Sequence, residues 1–332
     1  MSLRLMELIV PTDTIEDVKQ ILSEQGVIDH WQVNLVEKEV LFRILTPTEH
    51  TEKISDLLSS HFSHEKNFRI TLFTVEATLP KPEETESKQA LEEEKIEEET
   101  GRISREELYN DVLEGAKISY DYIIMVILSS IVAAVGLIRN DVAVIIGAMV
   151  IAPLLGPNVA LSLAATLGDI QLAGHSLKTN VAGLLTSFLI ATIAGLLLHI
   201  DPNVSEIANR TTINIGDVLI ALAAGSAGVL AYTRGVPAVI IGVMVAVALL
   251  PPLVTTGLLA GAGYFMLATG ALLLTITNLT CLNLAGVITF IAQGIRPRTW
   301  WEAEKAKKAI RNAILFWVSL LIILLLIIYF RF

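Results

Sequence analysis

Two proline-interrupted apolar stretches hold the residues best suited to chemistry. In the first, Pro153, Gly156 and Pro157 are followed by Asn158 and, one turn on, by Ser162. In the second, Pro251 and Pro252 are followed by Thr255 and Thr256. Proline lacks a backbone N–H and clashes with the preceding turn, so each set is expected to break its helix. A break inside a membrane frees carbonyls, which suit cations, and N–H groups at a positive dipole end, which suit anions. Lipid satisfies neither, so protein, water or a bound solute must. The chemistry expected is the coordination and passage of a small solute or ion. The alternative is that the prolines only bend helices to pack. A third polar group, Thr277, Asn278, Thr280 and Asn283 in the run TITNLTCLN, either lines such a pathway or ties helices together by hydrogen bonds.

Catalysis finds little support. The chain has no HExxH, no GxSxG and no paired aspartates within an apolar run, and Gly225-Ser226-Ala227-Gly228 has no base nearby. No catalytic residue, metal set or cofactor is expected. His61 and His64 lie three apart, but a zinc site needs further ligands. Asp141, Asp169, Asp217, His175 and His199 all fall at the ends of apolar segments, so a proton relay through a buried acid is not expected.

The first proline set sits within Val142–Leu167, 26 residues without a charge. A membrane crossing needs roughly 20 apolar residues. VIIGAMVIAPLLGP (Val144–Pro157) aligns without a gap on VIIGVMVAVALLPP (Val239–Pro252), with nine of fourteen positions identical. Arg139 falls on Arg234 by the same offset of 95 residues. Glycine, methionine, proline and arginine in register point to an internal duplication. Seven apolar segments follow the soluble part, near 122–138, 142–167, 178–200, 217–232, 236–262, 265–293 and 313–330. Six form two sets of three, and an odd number of crossings per set makes the second set an inverted copy. The competing arrangement makes 142–167 and 236–262 re-entrant hairpins, with parallel repeats. Ser129, Ser130 and Ala133 map onto Ala224, Gly225 and Gly228, small residues that let helices pack closely.

Charge is unevenly spread. Residues 1–80 hold 7 basic and 13 acidic groups, residues 81–119 hold 6 and 13, and residues 120–332 hold 11 and 8. This acidity in front of the membrane part argues against nucleic acid as a partner. The loop 294–312 is rich in Lys and Arg, which places it in the cytoplasm, whereas the lysine-free loop 199–217 falls outside. Counting back through six spans puts the N-terminus in the cytoplasm, in keeping with an opening run too short in its apolar part for a signal peptide. The partners expected are the lipid bilayer, a small solute or ion, and further copies of the chain in a homo-oligomer.

Residues 1–78 read as a small α/β unit. Leu3–Val10 is strand-like, and Ile15, Val18, Ile21 and Leu22 share a helix face that Gly26 is placed to end. Trp31, Val33 and Leu35, then Val40, Phe42 and Ile44, alternate as a hairpin does. Thr46-Pro47-Thr48-Glu49 reads as a capping box before a second helix, and Phe68, Ile70 and Leu72 supply the last strand. The order βαββαβ is that of a ferredoxin-like sandwich. Residues 79–102 form an acidic linker without a core. Within 103–119, Ser104-Arg105-Glu106-Glu107 caps an amphipathic helix expected to lie on the membrane surface. Membrane repeats at 120–200 and 215–293 follow, then the basic loop 294–312 and an extra helix at 313–332.

The runs ISREELYNDV (Ile103–Val112) and LSSIVAAVGLIRNDVAVIIGAMVIAPLLGP (Leu128–Pro157), followed by Gly168-Asp169, resemble the "uncharacterised hydrophobic domain" family of bacterial and archaeal membrane proteins. The resemblance covers roughly Ile103 to Phe290. It implies an integral protein of a prokaryotic inner membrane and brings no substrate, reaction or site residue. The fold expected is an α-helical polytopic membrane protein with an inverted 3+3 repeat and broken helices, plus an α+β cytoplasmic domain. The function expected is transport or conduction of a small solute or ion; the alternative is a membrane-anchored sensor or scaffold with a ligand- or partner-binding cytoplasmic domain.

Overall fold

The computed structural model describes residues 3–23, 25–35, 38–65, 67–75, 77–78, 103–236, 238–296 and 300–331, with backbone alone at 238–248, 300–305 and 329–331. The acidic linker read at 79–102 lies outside the described residues, as do 297–299 of the basic loop. The chain divides into two compact units, Met1–Glu107 and Leu108–Phe332.

In the first unit, β1 (Leu3–Pro11), β2 (Asp29–Asn34), β3 (Glu39–Pro47) and β4 (Arg69–Val75) form one sheet of order β2-β3-β1-β4, each neighbouring pair antiparallel. Helices α1 (Ile15–Ser23) and α2 (Thr48–Phe62) alternate with the strands. Strand period two sends Met6, Leu8, Val10, Val40, Phe42 and Ile44 to one face, where Val18 and Leu22 of α1 and Ile54, Leu58 and Phe62 of α2 bury them. The opposite face exposes Trp31, Val33 and Phe73. The expected capping box at Thr46–Glu49 does not form. Thr46 is still paired with Arg4 in the sheet, and α2 starts at Thr48 without a side-chain cap. At Ser104 half of the box holds: its hydroxyl accepts from Glu107 N at 3.2 Å. The Glu107 carboxylate turns instead to Arg4, which donates to it from Nη2 at 2.8 Å and Nε at 3.1 Å.

The division between the units falls within α3 (Arg105–Gly115). Leu108 and Val112, on its apolar face, are fully buried, so protein covers the face expected to meet lipid. The remaining helices are α4 (Tyr120–Ile138), α5 (Val142–Ile151), α6 (Leu155–Leu167), α7 (Ile170–Leu197), the short α8 (Ser205–Ala208), α9 (Ile215–Thr233), α10 (Ala238–Gly261), α11 (Phe265–Ala292) and α12 (Trp300–Arg331). Among the described residues, five carry a stretch long and apolar enough to cross a membrane: α4, α7, α9, α11 and, over Ala306–Ile328, α12. Helices α5 and α6 form one further segment bent by 54°.

The duplication is written into the backbone. Helices α4 and α9 have 19 residues each and start at 120 and 215; α7 and α11 have 28 each and start at 170 and 265. Both offsets are the 95 residues of the sequence alignment. Gly168 and Gly263 take φ of 72° and 85°, a left-handed turn open to glycine without strain. The bonds Asp169 N→Ala164 O and Tyr264 N→Leu259 O repeat, as do Asp141 N→Gly136 O and Val236 N→Ala231 O. Helix packing repeats too: α4 on α7 and α9 on α11, α6 on α7 and α10 on α11, α7 on α10 and α11 on α6.

One expectation is corrected. The second proline pair does not break its helix: α10 runs through Pro251 and Pro252. The break in the first copy sits at Ala152, whose ψ of 117° is extended, as a residue before proline prefers. Proline at 153 is therefore the cause. Its counterpart is Ala248, so nothing forces the second copy out of the helix. Pro157, the conserved partner of Pro252 within the chain, lies in the first turn of α6, where a missing N–H costs nothing.

Close approach holds the two copies together. A Cβ on Gly257 of α10 would lie 2.7 Å from Phe188 O of α7, and one on Gly147 of α5 would meet nothing within 4 Å. Gly257→Val should therefore destabilise the protein by about 2–3 kcal/mol, whereas Gly147→Ala should be near neutral. Thermal unfolding in detergent compares them; equal midpoints would contradict the packing.

Candidate functional site

The helix break sets the geometry of the candidate site. Proline at 153 turns the chain out of α5, and α6 starts afresh at Leu155 with no side chain capping its first turn. Gly156 in that turn lies against Gly115: a Cβ there would sit 2.6 Å from Gly115 O. One turn into α6, Asn158 is fully buried. Its Nδ2 donates to Leu154 O at 2.8 Å and to Asn180 Oδ1 of α7 at 2.9 Å. Its Oδ1 accepts from Asn283 Nδ2 of α11 at 3.1 Å. Ser162 Oγ faces Asn283 O at 3.3 Å and Asn283 Oδ1 at 3.4 Å, and bonds back to Asn158 O at 3.1 Å. A buried chain of amides thus ties the start of α6 to α7 and α11.

The joint between α3 and α4 closes over the same region. Thr179 Oγ1 donates to Ala116 O at 2.5 Å, and Tyr122 Oη donates to Thr179 O at 3.1 Å. Gly183, one turn beyond Asn180, gives Tyr122 and Leu154 their room, since a Cβ there would collide with Tyr122 Oη and lie 3.1 Å from Leu154 Cδ2. At the other end of α3, Tyr109 Oη donates to Asp169 Oδ2 at 2.8 Å. Burial, and then the Asp169 hydrogen bond and charge, push the Tyr109 hydroxyl up to about 12. Asp141, Asp169 and Asp217 are spent on helix starts: each carboxylate accepts from backbone N–H groups at the beginning of α5, α7 and α9. Among the described residues, no three His, Cys, Asp or Glu side chains gather to hold a metal ion.

The structure brings together Asn158, Ser162 and Asn283, with Pro153, Gly156 and Pro157 forming the break beside them. It does not bring the other expected residues into this hydrogen-bonded group. Thr256 and Thr280 bond to carbonyls of their own helices, Pro252 O and Ile276 O. Thr255 and Thr277 are buried with hydroxyls that have no hydrogen-bond partner among the described residues. Pro251 and Pro252 lie buried within the continuous α10, and Asn278 is buried in α11. Sequence reasoning missed Asn180, placed near the end of a span. Its signal was the 95-residue register, which puts it on Thr275 of the polar run. It also missed the bond from Ser130 Oγ to Ser187 Oγ at 2.8 Å. Its counterpart in the second copy is the approach of Gly225 to Leu282.

Residues 149–284 match the family model described as "Domain of unknown function (DUF389)". An uncharacterized protein of Methanocaldococcus jannaschii is 41% identical over 332 residues, covering 99% of this chain and all of the relative. No solved structure matches.

Proposed function

The chain belongs to the DUF389 family, and from that premise we propose that it is a membrane transporter or channel for a small solute or ion. The observation that carries this reading is the helix break at Ala152–Pro153, beside a buried chain of asparagine and serine side chains. Irregular backbone in a membrane protein persists where it is buried in protein or lines a water-filled cavity, and solute sites of transporters are built from such broken helices. The two copies are arranged as an inverted repeat. Matched packing of corresponding helices and three apolar segments per copy support this. The first unit is a ferredoxin-like sandwich on the cytoplasmic side of a prokaryotic inner membrane, supported by its strand order and by the Lys/Arg-rich loop 294–312.

Purified protein reconstituted in liposomes, challenged with a broad panel of small anions, cations and neutral solutes, should pass at least one faster than empty liposomes do. Flux of none would leave the break as a packing kink. Orientation is tested separately. Single cysteines at Ser205 and Ala303, on a Cys281→Ala background, should label from opposite sides; labelling from one side would overturn the inverted repeat.

A sensor or scaffold reading has one observation in its favour: the open sheet face of the first unit, where Trp31 is 47% exposed beside Val33. Under it the membrane part has no flux of its own, and the cytoplasmic unit binds the ligand or partner.

A further inference from the structure

The amide chain has a direction, and two backbone carbonyls set it. Asn158 Nδ2 lies 2.8 Å from Leu154 O, and an amide oxygen there would place two acceptors together. Nitrogen must therefore face Leu154, which leaves Oδ1 for Asn283. Asn283 in turn keeps its own nitrogen toward Leu279 O, 2.9 Å away. Both N–H groups of Asn158 and both of Asn283 then have acceptors. Asn180 must offer its oxygen to Asn158, so its nitrogen is turned to the free end. That nitrogen is buried and has no partner among the described residues, and the residue as a whole is 3% exposed.

A buried amide nitrogen can only donate, and leaving it unpaired costs the full desolvation penalty of the group. What completes it is an acceptor. The start of α6 is close by: Asn180 accepts from Asn158 Nδ2, which also donates to Leu154 O, and Leu154 immediately precedes α6. Helix α6 has 13 residues, no side-chain cap, and the positive end of its dipole here. No carboxylate stands in the apolar stretch of any span, since the acidic groups of these helices are at helix starts. Donors without acidic neighbours select against cations.

Resting on the transport reading, we infer that the solute is a small oxyanion or carboxylate, held at the first turn of α6 with Asn180 Nδ2 as its side-chain donor. Asn158 and Asn283 are positioning residues: they do not touch the anion and fix which end of the Asn180 amide meets it.

The test uses the full chain purified in detergent. Phosphate, sulfate, acetate and chloride are titrated at constant ionic strength, each as its sodium and its tetramethylammonium salt, and the unfolding midpoint is followed. At least one oxyanion should raise the midpoint with either cation. Asn180→Asp keeps the oxygen that Asn158 needs and removes both N–H donors. Its buried carboxyl should lower the unliganded midpoint, so affinity is read against the variant's own unliganded midpoint, at a pH of about 8 that keeps the carboxyl from donating; there it should lose roughly ten- to a hundredfold in anion affinity. Asn180→Ser, which restores one donor, should recover part of that loss. Stabilisation that follows the cation, or an equal response in Asn180→Asp, would overturn the site, as would no response to any of the four anions. Flux of a cation or neutral solute without anion binding removes the anion site and leaves the transport reading. Anion binding without flux does the reverse.

Discussion

Asn158→Leu should lower the stability of the protein by about 2–4 kcal/mol, among the largest effects of any single polar substitution in the membrane unit. The side chain makes three hydrogen bonds, to Leu154 O, Asn180 and Asn283, from a site with no exposure. Leucine has nearly the same volume, so little cavity opens, and the cost is that of polar groups left unpaired. Asn180 Oδ1 loses the N–H it accepts from. Asn283 Nδ2 keeps Leu279 O but strands its second N–H. A single hydrogen bond between membrane helices contributes on average well under 1 kcal/mol, so the expected loss rests on several failing together. Thr256→Val is the comparison, because among the described residues Thr256 bonds only to a carbonyl of its own helix, and it should cost less than about 1 kcal/mol. Unfolding midpoints in one detergent decide it; Asn158→Leu melting with Thr256→Val would mean that the amide chain does not hold the helices.

The second large effect lies in the backbone. Pro153→Ala should join α5 and α6 into one helix. The second copy has already made this experiment: alanine stands at 248, and α10 is continuous. With alanine at 153, Ala152 is released from the extended conformation that a following proline favours, and an N–H returns to the ladder. The first-turn N–H groups of α6 then pair within the helix and the site at its start disappears. Flux should fall to that of empty liposomes while the protein still inserts and folds. The reciprocal change, Ala248→Pro, adds a third proline to α10 and should cost about 3 kcal/mol. Full flux from Pro153→Ala would separate the break from the pathway.

Much of the architecture was legible because membrane helices announce themselves by length and apolar run. The duplication was legible because glycine, proline and methionine matched where apolar residues alone would match by chance. In the soluble unit, period-two alternation at Trp31–Leu35 and Val40–Ile44 marked paired strands that the sheet contains. What was not legible depends on position within a helix. Pro153, Pro157 and Pro252 are the same residue type, yet only Pro153 follows an extended residue; Pro157 falls in a first turn and Pro252 inside a continuous helix. Which polar side chain meets which is equally hidden. Asn158, Asn180 and Asn283 come from three helices, and nothing local marks them as neighbours, whereas Thr280 in a richer polar run turns back to its own helix. The apolar face of α3 looked ready for lipid because Leu108 and Val112 recur at helical spacing, a pattern that does not say whether lipid or protein covers it.

The proposed pathway for water and solute runs past the break at Ala152–Pro153. Side-resolved thiol labelling in proteoliposomes, on a Cys281→Ala background, tests it. A cysteine at Ala152, which is buried at the break, is compared with one at Leu185, which is 55% exposed on α7. A small, charged, membrane-impermeant thiol reagent should modify the cysteine at 152 from one side or the other, more slowly when a transported solute is present, and leave the one at 185 untouched in lipid. No modification at 152 from either side, with or without solute, would rule out the pathway and leave the break as a dry kink between packed helices.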